Sequence, residues 1–235
     1  MRKLILIVLI AIALISCTKI EEERVNMLGE QINVVTEDGF KIEGTYYKGS
    51  QKGIILIHML GRNRNEWNDF ALRLQKEGYS IVAIDMRGHG NNQGNFKTFT
   101  SEDFNNIKKD VKAAKEFLAS KGVTNFAIIG ASIGANTALN YAVEDKSIRT
   151  IILLSPGLDY RGVKTDETIK QYDNSILIIA SKEDSYSADS SEVLFSSAKG
   201  KKQIKIFQGL GHGTQMLVSQ EAQTMILDWL RESLK

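Results

Sequence analysis

Three kinds of side chain that together can attack a carbonyl and move a proton lie far apart in this chain. Ser132 sits in the stretch from Ile128 to Ala135, I-I-G-A-S-I-G-A, where small and aliphatic residues surround a single hydroxyl. Asp184 stands in A-S-K-E-D-S and His212 in G-L-G-H-G. A serine hydroxyl becomes a competent nucleophile when a nearby base takes its proton, and a carboxylate that orients the base completes the arrangement. The glycine spacing around Ser132 does not by itself separate a nucleophile on a tight turn from filler in a glycine-rich loop. The flanking elements decide.

Those elements form a regular series. Q-I-N-V-V-T from Gln31, a turn at Asp38-Gly39 and F-K-I-E-G-T-Y-Y with alternating side chains predict an antiparallel hairpin. Five continuous apolar runs follow: Gly53 to His58, Ser80 to Asp85, Asn125 to Gly130, Thr150 to Ser155 and Ser175 to Ala180. Such runs belong to strands covered on both faces, hence to a parallel sheet. The amphipathic K-Q-I-K-I-F, Lys202 to Phe207, reads as an edge strand. Between the runs, Asn65 to Glu77, Ser101 to Ser120 and Leu217 to Leu234 place apolar residues at helical spacing. The expected fold is α/β: a mostly parallel central sheet with helices on both faces.

In such sheets chemistry gathers at the carboxyl ends of the strands. Ser132 follows the run ending at Gly130 and precedes the helical A-N-T-A-L-N-Y-A, the strand-turn-helix context of a nucleophile elbow. The helix N-terminus behind it favours developing negative charge. Asp184 follows the run ending at Ala180, and Asp159, after the run ending at Ser155, competes for the same role. Of the three histidines only His212 lies downstream of the serine and of both acids. His58 in H-M-L-G and His89 in D-M-R-G-H-G read as residues that shape loops.

The elbow G-A-S-I-G, the D-M-R-G-H-G turn, the H-x-x-G loop after the third strand and the late G-H-G occur in an order that resembles the α/β-hydrolases from about residue 31 to the C-terminus. That resemblance implies Ser132 as nucleophile, His212 as base and Asp184 as acid. The oxyanion hole would be the backbone N–H groups of Ile133 and of Leu60, or of Met59 in place of Leu60. Many members have glycine where this chain has Met59, which leaves the second donor open. Only about seventeen residues, Gly157 to Asp173, stand where members commonly insert a lid, too few for a large cap. The chain is in this respect similar to the small dienelactone-hydrolase and carboxylesterase types.

With 235 residues, 43% of them hydrophobic, one catalytic domain over 29–235 is expected. Thirty basic and 28 acidic residues are interspersed, with no nucleic-acid footprint. The start differs: Met1-Arg2-Lys3 precedes twelve aliphatic residues, Leu4 to Ile15, too few to span a bilayer comfortably but suited to a signal peptide. Leu14-Ile15-Ser16-Cys17 resembles the lipobox of bacterial lipoproteins, which implies a signal over 1–16, acylation of Cys17 and a tether over 17–28. Cleavage there removes Arg2 and Lys3 and leaves 28 basic against 28 acidic residues, so lipid and not charge would hold the protein to the envelope membrane.

The chemistry expected is acyl transfer from a small carboxylic ester to water, with no metal and no cofactor. A peptidase, thioesterase or lipase could use the same three residues, and cofactor-free haloperoxidases and lyases share the fold. From another class, the chain could be a surface lipoprotein that binds a ligand without turning it over.

Overall fold

The computed structural model describes residues 29–235. The expected signal segment, the tether and Cys17 lie outside the described residues. The hairpin of β1 (Glu30–Val35) and β2 (Lys41–Tyr47) turns at Gly39, whose φ of 85° suits glycine. Then follow β3 (Lys52–Ile57), α1 (Asn68–Lys76), β4 (Ser80–Ile84), α2 (Ser101–Asn105), α3 (Lys108–Ser120), β5 (Asn125–Ala131), α4 (Ile133–Glu144) and β6 (Ile148–Leu154). The chain continues through β7 (Asp159–Tyr160), β8 (Val163–Lys164), β9 (Ser175–Ser181), α5 (Ser185–Ser197), β10 (Lys202–Phe207) and α6 (Gln220–Ser233).

Eight strands form one sheet in the order β1-β2-β4-β3-β5-β6-β9-β10. The strands from β4 to β10 run parallel, while β2 is antiparallel to both β1 and β4. Alternate side chains of the central strands feed two cores. Ile55, Ile57 and Ile128 pack with Val111 of α3, Leu139 of α4 and Leu194 of α5. Ile54, Leu56 and Ile129 pack on the other face with Phe70 and Leu74 of α1 and with Ile226 and Trp229 of α6. Because both faces are covered, β3, β5, β6 and β9 lose polar alternation and read as the apolar runs they are.

Three expected helices are modified. The span Ser101 to Ser120 is broken at Asn106-Ile107, and the Asn105 side-chain amide at the end of the first piece donates to the carbonyl oxygens of Ser101 at 2.7 Å and Gly162 at 3.1 Å. The span from Asn65 begins as a 3-10 turn, Arg64–Trp67, and the last begins as a 3-10 turn, Gly213–Val218, before Ser219 caps α6. One helix, α5, has no apolar period to announce it. Six of its 13 residues are serine, and its buried face is Ser187, Ala188, Ser190, Ser191 and Leu194. Serine has weak helical preference and no apolar signature, so packing makes this helix.

Between β6 and β9 the chain builds only the two-residue strands β7 and β8 and a 3-10 turn, Ile169–Gln171. The sheet's carboxyl edge therefore carries no large cap. Among the described residues no helix is long and apolar enough to cross a membrane.

Candidate active site

Ser132 occupies the single residue between β5 and α4, with φ 56° and ψ −123°. A non-glycine residue rarely adopts this conformation, which costs on the order of 1–3 kcal/mol and persists only where the surroundings impose it. Here they do. A Cβ on Gly130 would collide with the backbone of Gly134, and one on Gly134 would lie 2.6 Å from the Ile57 carbonyl oxygen. The Ser132 N–H is fixed by the Leu154 carbonyl oxygen at 2.8 Å. The turn thus pushes a largely buried hydroxyl up over the sheet edge beside the first N–H of α4, that of Ile133, which has no partner within its helix.

Asp184 arrives from the connection after β9 and His212 from the one after β10. His212 Nδ1 lies 2.5 Å from Asp184 Oδ2, so the ring donates Nδ1–H to the carboxylate and leaves Nε2 for other work. Asp159, the competing acid, accepts the Gly162 N–H at 2.7 Å and closes the β7–β8 turn. Among the described residues, the carboxylate on His212 is that of Asp184.

The loop that carries His212 is held from below. Gly209, Gly211 and Gly213 all have positive φ, and Glu183 accepts the N–H groups of Gly209 at 2.9 Å and Gly211 at 2.7 Å. These backbone donors hold the Glu183 carboxyl down at about 2. Gln215 Oε1 accepts the His212 N–H at 2.9 Å, and Ser155 Oγ accepts the Gly213 N–H at 2.9 Å. None of Glu183, Gln215 or Ser155 stood out in the sequence, because each acts on backbone groups that only the folded chain brings near.

On the other side of Ser132 lies the loop after β3. The Met59 N–H donates to Glu66 Oε1 at 2.9 Å. Of the two alternatives for the second oxyanion donor, the N–H of Met59 is thus engaged by a side chain in this structure. Nor is the Met59 backbone among those with positive φ, so the side chain causes no conflict there. Its sulfur packs against Gly213, where a Cβ would clash with it. Burial pushes the Glu66 carboxyl up.

His58 and His89 shape these loops. Fully buried, His58 donates Nδ1–H to the Met59 carbonyl oxygen at 2.7 Å, while Nε2 accepts the Met86 N–H at 3.0 Å, joining the ends of β3 and β4. Burial, reinforced by His89, drops its pKa to about 3, so the ring stays neutral. His89 bonds to the Arg87 carbonyl oxygen at 3.0 Å and stacks on Phe96 at 4.3 Å. Arg64 fixes the same region by pairing with buried Asp85 and with Glu43.

Ser132, His212, Leu60, Met59, Arg62 and Gln215 line one cavity of about 260 Å³. A cleft of about 500 Å³ adjoins it, sharing Met59, Arg62 and Gln215 and adding Glu66 and Thr214. A separate groove of about 430 Å³ between β10 and α6 has no nucleophile and no histidine in its lining. Among the described residues no group of three or more His, Cys, Asp or Glu is arranged to hold a metal ion.

The sheet order, the helices on both faces and the strained serine turn define the α/β-hydrolase fold. Solved structures agree. An esterase of Pyrococcus furiosus superposes with a TM-score of 0.73 at 19% identity, over 88% of this chain and 91% of that one. An esterase of Exiguobacterium antarcticum gives 0.70 at 14% identity, over 86% and 100%. The family model described as serine aminopeptidase, S33, matches residues 49–164, just under half of the chain, a span that holds Ser132 but neither Asp184 nor His212. An uncharacterized protein of Mycobacterium tuberculosis is 27% identical over 122 residues, 52% of this chain and 33% of that protein. The chain thus spans about a third of the length of that curated relative.

Proposed function

We propose that this protein is a serine hydrolase that cleaves small carboxylic esters through an acyl-enzyme. His212 Nε2 takes the proton of Ser132 as Oγ bonds to the ester carbonyl carbon, and Asp184 orients the ring and supports the charge it gains. The N–H groups of Ile133 and Leu60 receive the oxyanion, aided by the N-terminal end of α4. Collapse breaks the bond to the alkoxide, which leaves with the proton from His212. Water, deprotonated by the same ring, then releases the carboxylic acid and restores Ser132.

The observation that carries this reading is the His212–Asp184 bond of 2.5 Å on a ring that shares its cavity with Ser132. Its test is labelling by a fluorophosphonate together with hydrolysis of p-nitrophenyl acetate. Covalent labelling of Ser132 and turnover are expected; a folded protein that does neither is a ligand-binding protein and not a hydrolase.

One observation favours a second reading. The match to the serine aminopeptidase model suggests an amide substrate with a free amino end. Faster turnover of aminoacyl p-nitroanilides than of simple esters would select it.

Export and acylation at Cys17 belong to the same proposal and rest on the aliphatic run and the Leu-Ile-Ser-Cys that ends it. They would set the open site close to an envelope membrane.

A further inference from the structure

Met59 is tied at both of its backbone polar groups. Its N–H donates to Glu66 Oε1 at 2.9 Å, and its carbonyl oxygen accepts the His58 Nδ1–H at 2.7 Å and the Arg62 N–H at 3.1 Å. The side chain is wedged as well. It is buried, its sulfur lies 3.9 Å from Thr214 Oγ1, and a Cβ on Gly213, beside His212, would collide with it. A trans peptide is planar, so the Leu60 N–H points away from the Met59 carbonyl oxygen and from the two donors that hold it. That N–H has no hydrogen-bond partner among the described residues, and Leu60 shares its cavity with Ser132 and His212.

Glu66 reaches Met59 from the 3-10 turn Arg64–Trp67, which is anchored independently. Asn63 Oδ1 accepts the Asn65 N–H at 3.0 Å, the Arg64 N–H donates to buried Asp85 Oδ1 at 2.6 Å, and Trp67 is fully buried. The turn therefore stands without the bond to Met59. Half-burying a carboxylate is unfavourable unless hydrogen bonds compensate, so the placement of Glu66 matters most to the loop that it holds.

An oxyanion donor works only when it is aimed in advance at the place where charge develops. We propose that Glu66 is a positioning residue for the oxyanion hole: by accepting the Met59 N–H it fixes the Met59–Leu60 peptide so that the Leu60 N–H faces the carbonyl oxygen of a substrate on Ser132. This rests on the serine-hydrolase reading, which assigns Leu60 as a donor, and names what aims that donor.

The test compares wild type with Glu66→Gln, which keeps an oxygen to accept the Met59 N–H, and with Glu66→Met, which keeps the length and removes the acceptor. Measured on each are kcat and KM for p-nitrophenyl acetate, the Ki of an alkyl trifluoromethyl ketone, and Tm. Ser132 Oγ adds to the ketone carbonyl carbon and leaves an oxyanion in the hole, so the ketone reports the donors without turnover. Glu66→Met is expected to lose roughly tenfold or more in kcat with KM little changed, and to bind the ketone more weakly by the factor lost in kcat/KM. Glu66→Gln should recover most of that loss, to within about threefold of wild type. Should Glu66→Met not fold, Glu66→Ala takes its place under the same criteria.

Unchanged kcat and Ki in Glu66→Met would overturn the proposal, whatever happens to Tm. Equal defects in both variants would overturn it in favour of the carboxylate's charge, and faster turnover by Glu66→Met in favour of a Met59 N–H that Glu66 withholds from the hole. If wild type neither turns over the ester nor binds the ketone, the serine-hydrolase reading fails. Equal ketone affinity in an active wild type and Glu66→Met defeats only this inference.

Discussion

His212 Nδ1 sits 2.5 Å from Asp184 Oδ2, while the carboxylate of Asp159 is engaged by the Gly162 N–H at 2.7 Å. Only one of the two acids can fix the tautomer of the ring. Asp184→Asn is expected to lower kcat by on the order of 10⁴, whereas Asp159→Asn changes it by less than about tenfold. Steady-state kinetics on p-nitrophenyl acetate decide the matter, and a crippled Asp159→Asn enzyme would reverse the assignment.

Ser132 carries both the proposed chemistry and the backbone strain. Ser132→Ala should lose on the order of 10⁴ or more in turnover while the fold persists. Ser132→Gly should be equally inactive yet more stable than Ser132→Ala by about 1 kcal/mol, because glycine adopts φ 56° without the Cβ penalty. Urea melts of the two variants measure the difference; equal midpoints would mean that the turn stores no strain.

His58 makes stability depend on pH. Its native pKa, about 3, lies below the unfolded value near 6.5, with burial the main cause and the nearby His89 and Arg64 adding to it. Between those values the unfolded chain binds a proton that the native ring excludes, so stability falls as pH drops from about 6.5 towards 3, by up to ~1.4 kcal/mol per pH unit. His58→Gln should flatten this acid limb between pH 6 and 4.5, whatever it does to stability at pH 7. An identical slope in the variant would show that His58 does not set it.

The connection between β6 and β9 supplies no cap, and a cap is what walls in a long acyl chain. Each buried CH₂ is worth roughly 0.8 kcal/mol, and beyond a shallow cavity there is nothing to bury the next one. Acetyl to hexanoyl p-nitrophenyl esters should be the best substrates of the anchor-deleted protein, with activity flat or falling beyond them. A preference for dodecanoyl esters without detergent would point to a lipase.

The proposed anchor has a direct test. With equal numbers of basic and acidic residues after Cys17, no net charge substitutes for acyl chains. Cys17→Ser should move the protein from the membrane fraction to the soluble one on sedimentation. A variant that still pellets with membranes would indicate that an uncleaved apolar segment holds it.

The sequence by itself determined the eight strands of the main sheet and the residues that follow them, but not the short pair β7 and β8. Runs such as Gly53 to His58 are apolar throughout because both faces are covered, and an uninterrupted run stays legible without coordinates. Ser132 was legible for a similar reason: a serine can hold φ 56° there only with glycine at 130 and 134, and those glycines are written in the chain. Tertiary structure decided what depends on distance between connections. Asp184 and Asp159 each follow an apolar run, and only folding brings one of them to His212. The Met59 N–H looked available until the turn at Glu66 came back to take it. Helix α5, rich in serine, forms because β9, β10 and the β6–β9 connection pack around it, and it carries Ser187 to Tyr160. Backbone periodicity is a local property and survives in one dimension, whereas a hydrogen bond between two loops is a property of where the sheet sets them.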